Sequence, residues 1–105
     1  MPREPDLREI VVRDNPEKNR YEALAGPAMA AFVDYRLLRQ RIALVHTEVD
    51  PGFEGRGVGR LLAAEVLDDI RARGLKVTPI CPFMAAFIER HPAYADLVSW
   101  GRERA

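Results

Sequence analysis

The sequence predicts an α+β fold, a mixed sheet that begins as an antiparallel meander and ends in a parallel β-α-β crossover with a final helix. Three observations carry this prediction. Up to residue 49 the apolar residues alternate or form short runs between turn signals. From Gly57 to Arg73 the apolar period lengthens to that of a helix. A further apolar run then follows a single glycine, Gly74, which is the spacing of a strand-helix-strand unit.

The elements follow in order. Ile10-Val-Val-Arg reads as a first strand, and Asp14-Asn-Pro-Glu-Lys-Asn is a turn-rich break. Arg20-Tyr-Glu-Ala-Leu alternates polar and apolar residues, as a half-buried second strand of the same hairpin would. Gly26-Pro27 interrupts the chain before a third strand from Met29 to Leu37, and Arg39-Gln-Arg separates that strand from the nearly continuous apolar run Ile42 to Val49. Connections this short join antiparallel neighbours. On a helix beginning near Gly57, the residues Val58, Leu62, Ala63, Val66, Leu67 and Ile70 share one side, with Arg60, Asp68 and Arg71 opposite. Gly74 suits a left-handed C′ position, Leu75 to Ile80 reads as the next strand, and Pro82 at N1 opens a second helix through Arg90. A right-handed crossover places the C-terminal ends of the two flanking strands on one sheet edge, so Glu48, the glycine turn and Cys81 are expected to converge.

Composition limits the function classes. The 105 residues suit a single domain, 1–105, with an ordered core of about 8–98. Sixteen basic and sixteen acidic residues cancel, so no global field points to nucleic acid or an anionic membrane, and neither is expected as a partner. No apolar run approaches membrane-spanning length, and Met1-Pro-Arg-Glu-Pro lacks the apolar core of a secretory leader. One cysteine forms no internal disulfide, which fits a reducing cytoplasm. No metal-ligating spacing stands out, and the oligomeric state is not legible.

The chemistry concentrates in residues 42 to 60, where an apolar strand runs into Gly52-Phe-Glu-Gly-Arg-Gly-Val-Gly-Arg60 and then a helix. Glycines let backbone N–H groups close on a ligand, and the first N–H groups of a helix carry the positive end of its dipole. That combination accommodates a phosphate. Two phosphate motifs fail on spacing. A P-loop needs Lys and Ser/Thr where Val58 and Gly59 stand, and a dinucleotide fingerprint needs glycine where Arg60 or Leu62 stands.

The segment resembles the acetyl-CoA signature of the GNAT acetyltransferase superfamily, a [Q/R]-x-x-G-x-[G/A] turn that binds the CoA pyrophosphate. It reads here as Glu54-Gly-Arg-Gly57-Val-Gly59, with Glu54 in place of the usual Gln or Arg. Arg56, Arg60 and the backbone N–H groups are left to neutralise the ligand. Val45-His-Thr-Glu-Val49, Val77-Thr-Pro-Ile-Cys81-Pro-Phe83 and Arg90-His-Pro-Ala-Tyr94 extend the resemblance to a small GNAT-like branch over nearly all of residues 8 to 98. It implies an N-acetyltransferase that takes acetyl-CoA as cosubstrate and an amine as acceptor, a peptide or a small molecule. It also implies CoA contacts from Val49, Glu54, Gly55, Arg56, Gly57, Val58, Gly59, Arg60 and Leu61, and an oxyanion held by a backbone N–H at the end of the Ile42–Val49 strand. A non-catalytic CoA-binding or interaction module is the rival, because a full-length GNAT domain has further C-terminal strands around its acceptor pocket.

The candidate catalytic residues each read two ways. Cys81 is either a buried small hydrophobe or, just before Pro82, an N-cap thiol whose thiolate the helix dipole favours. In the family reading it lies near the CoA sulfur, where it carries the acyl group transiently or protonates the departing thiolate. His46 and Glu48, two apart on a strand, share a face. They either satisfy one another or supply the base for an attacking amine. Tyr94 is either a packing residue or a proton donor, and His91 is too far along its helix to be a direct base for Cys81.

Overall fold

The computed structural model describes residues 6–101. A five-stranded sheet runs in sequence order: β1 Ile10–Asn15, β2 Arg20–Ala25, β3 Ala28–Leu38, β4 Arg41–Val49 and β5 Lys76–Pro79. The first four strands pair antiparallel and β5 pairs parallel to β4, from Arg41 opposite Lys76 to Leu44 opposite Pro79. Helix α1 (Val58–Ala72) crosses between β4 and β5, and α2 (Pro82–Arg90) follows β5. This is the α+β mixed sheet that the sequence predicts. Met1 to Pro5, read above for a leader, and the end of the polar tail lie outside the described residues.

Helix α1 buries the side chains its period marked, Val58, Leu62, Ala63, Val66, Leu67 and Ile70. They pack on Tyr21, Ala23, Val33, Ile42, Leu44 and Val77, the alternate residues of four strands. Full burial of each large aliphatic side chain stabilises by roughly 1.5–3 kcal/mol. Helix α2 adds Met84, Phe87 and Ile88 to the same cluster, so both helices lie on one face of the sheet. The other face exposes His46 and Glu48 but buries Glu22, Ala43 and Thr78.

Glycine ends α1 as expected. Gly74 has φ +72, its N–H donates to the Arg71 carbonyl at 3.0 Å, and the Leu75 N–H reaches the Ile70 carbonyl at 3.1 Å. Those two bonds make a Schellman motif.

Three details differ from the sequence reading. Strand β1 continues through Asp14 and Asn15, which pair with Tyr21 and Arg20, so the turn shrinks to Pro16–Lys18 and a left-handed Asn19. Strand β2 is not half-buried, since Glu22 is only 3% exposed. Its carboxylate accepts from Arg13 and Asn15 on β1 and from Arg20 on its own strand. Burial alone would raise the Glu22 pKa, and these three donors instead hold it below the ordinary glutamate value. Finally, a 3-10 turn (Pro92–Leu97) brings Val98 alongside Val77 as a single parallel bridge, and the Ser99 N–H donates to the Val77 carbonyl at 2.9 Å. A polar tail gave no signal for that pairing.

Candidate active site

The turn between β4 and α1 is built from short local bonds. Asp50 accepts from the Gly52 N–H at 2.9 Å and opens a 3-10 turn, Pro51–Phe53. Gly55 and Gly57 then adopt φ +75 and +81, a region where a Cβ is strained. Gly57 is the N-cap of α1, and no side chain caps that end. Helix geometry gives the first N–H groups no intrahelical carbonyl, so they face the turn with the positive end of the dipole.

Two open clefts flank this helix end and share Gly57 and Arg60. The first, about 320 Å³, is bounded by Val49, Phe53, Glu54, Gly59 and Phe83. The second, about 410 Å³, is bounded by Arg56, Leu61, Phe87, His91 and Tyr94. Phe87 and His91 stack there with ring centroids 3.9 Å apart, and the His91 Nδ1–H donates to the Phe87 carbonyl at 2.8 Å. Tyr94 donates to Asp68 at 2.8 Å; burial first, then that carboxylate, raises its phenol above the ordinary value.

Cys81 caps α2 by position and not by side chain. It is 3% exposed, its N–H donates to the Leu44 carbonyl at 2.9 Å, and its Sγ lies 3.0 Å from the Thr47 hydroxyl. The thiol is therefore both core residue and hydrogen-bonded group. His46 and Glu48 sit on either side of Thr47 along β4 and project to the opposite face, across from Asp34 and Phe32. Their side chains touch at 3.0 Å and are more than half exposed. The expected convergence therefore holds for the backbone, while β4 divides the side chains: Thr47 toward Cys81, His46 and Glu48 away from it.

The nine proposed CoA contacts all lie at the strand end or around the helix N-terminus. Val49, Glu54, Gly55, Gly57, Val58, Gly59 and Arg60 line the first cleft, and Arg56 and Leu61 line the second. Sequence reasoning passed over Phe83 and Thr47. A Cβ on Gly59 would come within 2.9 Å of the Phe83 ring, so the ring presses on the helix where a side chain is missing. The available signal was Phe83 in the first turn of a proline-initiated helix, facing a glycine-rich helix start.

Residues 20–97 match the GCN5-related N-acetyl-transferase family, most of the chain and all of the site just described. The chain belongs to this family. A GCN5-like protein from Staphylococcus aureus, solved by NMR, superimposes with a TM-score of 0.66 over 92% of this chain and 98% of that one. At 22% identity, that likeness concerns the fold. A 51-residue stretch is 35% identical to the [ribosomal protein bS18]-alanine N-acetyltransferase of Salmonella typhimurium. That stretch is 49% of this chain and 34% of the Salmonella enzyme, so the GNAT chain described here shares about a third of that relative's length. Among the described residues no helix is long and apolar enough to cross a membrane.

Proposed function

We propose that this GNAT chain transfers an acetyl group from acetyl-CoA to an amine. The observation that carries the reading is the uncapped α1 N-terminus at two left-handed glycines, with a cleft on each side sharing Gly57 and Arg60. Such an end favours a phosphate group, and paired clefts suit a ligand that continues in both directions from it. The backbone from Arg56 to Leu61 holds the pyrophosphate. The first cleft leads the pantetheine arm past Phe83 and Val49 toward Cys81. The second, with its Phe87–His91 stack and the Arg56 and Arg60 cations, takes the adenosine end.

In the reaction, a β4 backbone N–H polarises the thioester carbonyl. The Glu48–His46 pair accepts the proton of the attacking amine. A nitrogen–carbon bond forms, the carbon–sulfur bond breaks, and the departing thiolate takes a proton from Cys81, which solvent replenishes through Thr47. Cys81 acts in support, because thioester and amine react without a relay once they are held together.

A titration tests binding and turnover separately. Acetyl-CoA should shift the amide resonances of Arg56 to Leu61 first, and an amine panel should then yield acetylated product. Cys81→Ala should keep CoA binding and lose only part of the rate. An acetyl-Cys81 adduct that passes its acetyl group to added amine would replace direct transfer with a covalent route. Saturable CoA binding without any acetylated amine would leave a binding module.

A further inference from the structure

The end of β4 serves two spaces. Val49 lines the cleft beside the glycine turn, whereas its neighbours Glu48 and Asp50 line a separate cleft of about 150 Å³ with Met29, Ala31 and Phe32. The ionisable side chains among those lining residues are both carboxylates. The aromatic wall already engages a cation, since the Arg20 guanidinium sits 5.0 Å from the Phe32 ring centroid. A carboxylate has two acceptor oxygens, and the contacts described above use Oε2 of Glu48, toward His46, and Oδ1 of Asp50, toward Gly52.

We propose that this cleft is the acceptor subsite and that it selects an alkylamine bearing a second positive charge. The inference rests on the acetyltransferase reading and adds its substrate class. Glu48 and Asp50 are two residues apart, roughly 6–7 Å along an extended chain. An unbranched diamine with four methylenes spans a similar length between its nitrogens. The reacting nitrogen lies at Glu48, where the His46 pair removes its proton, and the distal ammonium lies at Asp50 against Phe32. The two substrates then approach the same strand end from different sides, CoA along Val49 and the amine along Glu48. The charge preference has a physical basis in this geometry, because the Arg20 guanidinium near Phe32 is already paired with Glu22, so that a distal carboxylate would face two carboxylates and a distal methyl would leave Asp50 without its ion pair.

Three amines of matched length test this: 1,4-diaminobutane, n-butylamine and 4-aminobutanoate, compared by kcat/KM at saturating acetyl-CoA. The diamine should lead by roughly tenfold, the combined size of an exposed ion pair and a cation–π contact, with aminobutanoate last. Asp50→Asn, which keeps the Gly52 cap, and Phe32→Leu should each compress that ratio. Amide shifts on adding 1,4-diaminobutane supply a readout independent of turnover. They should centre on Phe32, Glu48 and Asp50 and be absent with 4-aminobutanoate. Shifts there without acetylation would keep the subsite and remove the transferase reading. Acetylation with equal rates for the three amines, with a ratio unchanged in Asp50→Asn, or with shifts centred elsewhere would overturn the subsite and keep the transferase.

Discussion

Gly57 and Gly59 stand two apart and fail differently when substituted. Gly57 holds φ +81, so Gly57→Ala strains the backbone by roughly 1–2 kcal/mol wherever its methyl points. Gly59 is helical, and its difficulty is the Phe83 ring, which a methyl would meet at 2.9 Å. A ring at the far end of a flexible side chain gives way, so Gly59→Ala should destabilise little and should weaken CoA binding by moving Phe83 into the first cleft. Phe83→Leu in the same chain should restore the affinity lost in Gly59→Ala and should do nothing for Gly57→Ala. Isothermal titration of the four variants decides this, and equal rescue of both alanines would refute the assignment. Glu22 teaches a different lesson. Its burial was not legible in the local pattern, because alternation reports which face a residue takes and not what its neighbours bring there. Arg13 and Asn15 reach it only through the β1–β2 register, and Arg20 comes from two residues away on its own strand. Glu22→Ala should cost about 1–3 kcal/mol in urea unfolding, set by the lost charged hydrogen bonds and not by packing. A variant with wild-type stability would show that these bonds contribute nothing.

Among the elements, α1 was the most legible. Its 3.6-residue period is a property of fifteen consecutive residues, and every side chain marked as inward is buried. Strand ends were less so, since Asp14 and Asn15 look like turn residues and are held in β1 by partners on other elements. One of those partners is Tyr35, whose hydroxyl donates to Asp14 at 2.7 Å beside the Tyr21 ring, 5.5 Å away. Tyr21 in turn donates to Asp69 and accepts from Arg73, which ties the C-terminal turn of α1 to the sheet. Burial first, then the Asp14 carboxylate, pushes the Tyr35 phenol from 10.0 up to about 12. The sign follows from linkage. The folded state keeps the proton more tightly than the unfolded chain, so the contribution is full below pH 10 and is lost as pH rises toward about 12. The urea midpoint of the wild type should fall across that window, and Tyr35→Phe should flatten the fall. An identical alkaline slope in both proteins would remove Tyr35 from the linkage. Cys81 was legible as a helix start, whereas its Thr47 partner was not, because that contact joins residues 34 positions apart.

At the scale of the molecule, the helices occupy one face of the sheet and the candidate CoA site lies where β4, α1 and α2 meet. A ligand seated there bridges α1 to α2, which otherwise communicate through Phe83 on Gly59 and through the shared core. Binding to the folded chain alone stabilises it by RT ln(1 + [L]/Kd), about 2.7 kcal/mol at a hundredfold excess over Kd. For a domain of this size each kcal/mol moves Tm by roughly 4–8 °C, so CoA should raise Tm by about 10–20 °C under those conditions. The charge balance gives that shift a second signature. With sixteen basic and sixteen acidic residues, attraction for the phosphates should come from nearby groups, and on the proposed reading from Arg56 and Arg60 above all. Screening acts over about 8 Å at physiological salt, so the CoA-induced shift should shrink as salt rises. The Arg56→Ala, Arg60→Ala double variant should show a smaller shift with a flatter salt dependence, each shift taken from the variant's own Tm without CoA. Thermal melts with and without CoA from low salt to about 1 M, where the screening length falls to roughly 3 Å, measure both quantities at once. A double variant that kept the wild-type slope would mean that other groups neutralise the phosphates, and the helix N-terminus would then lose its claim to the pyrophosphate.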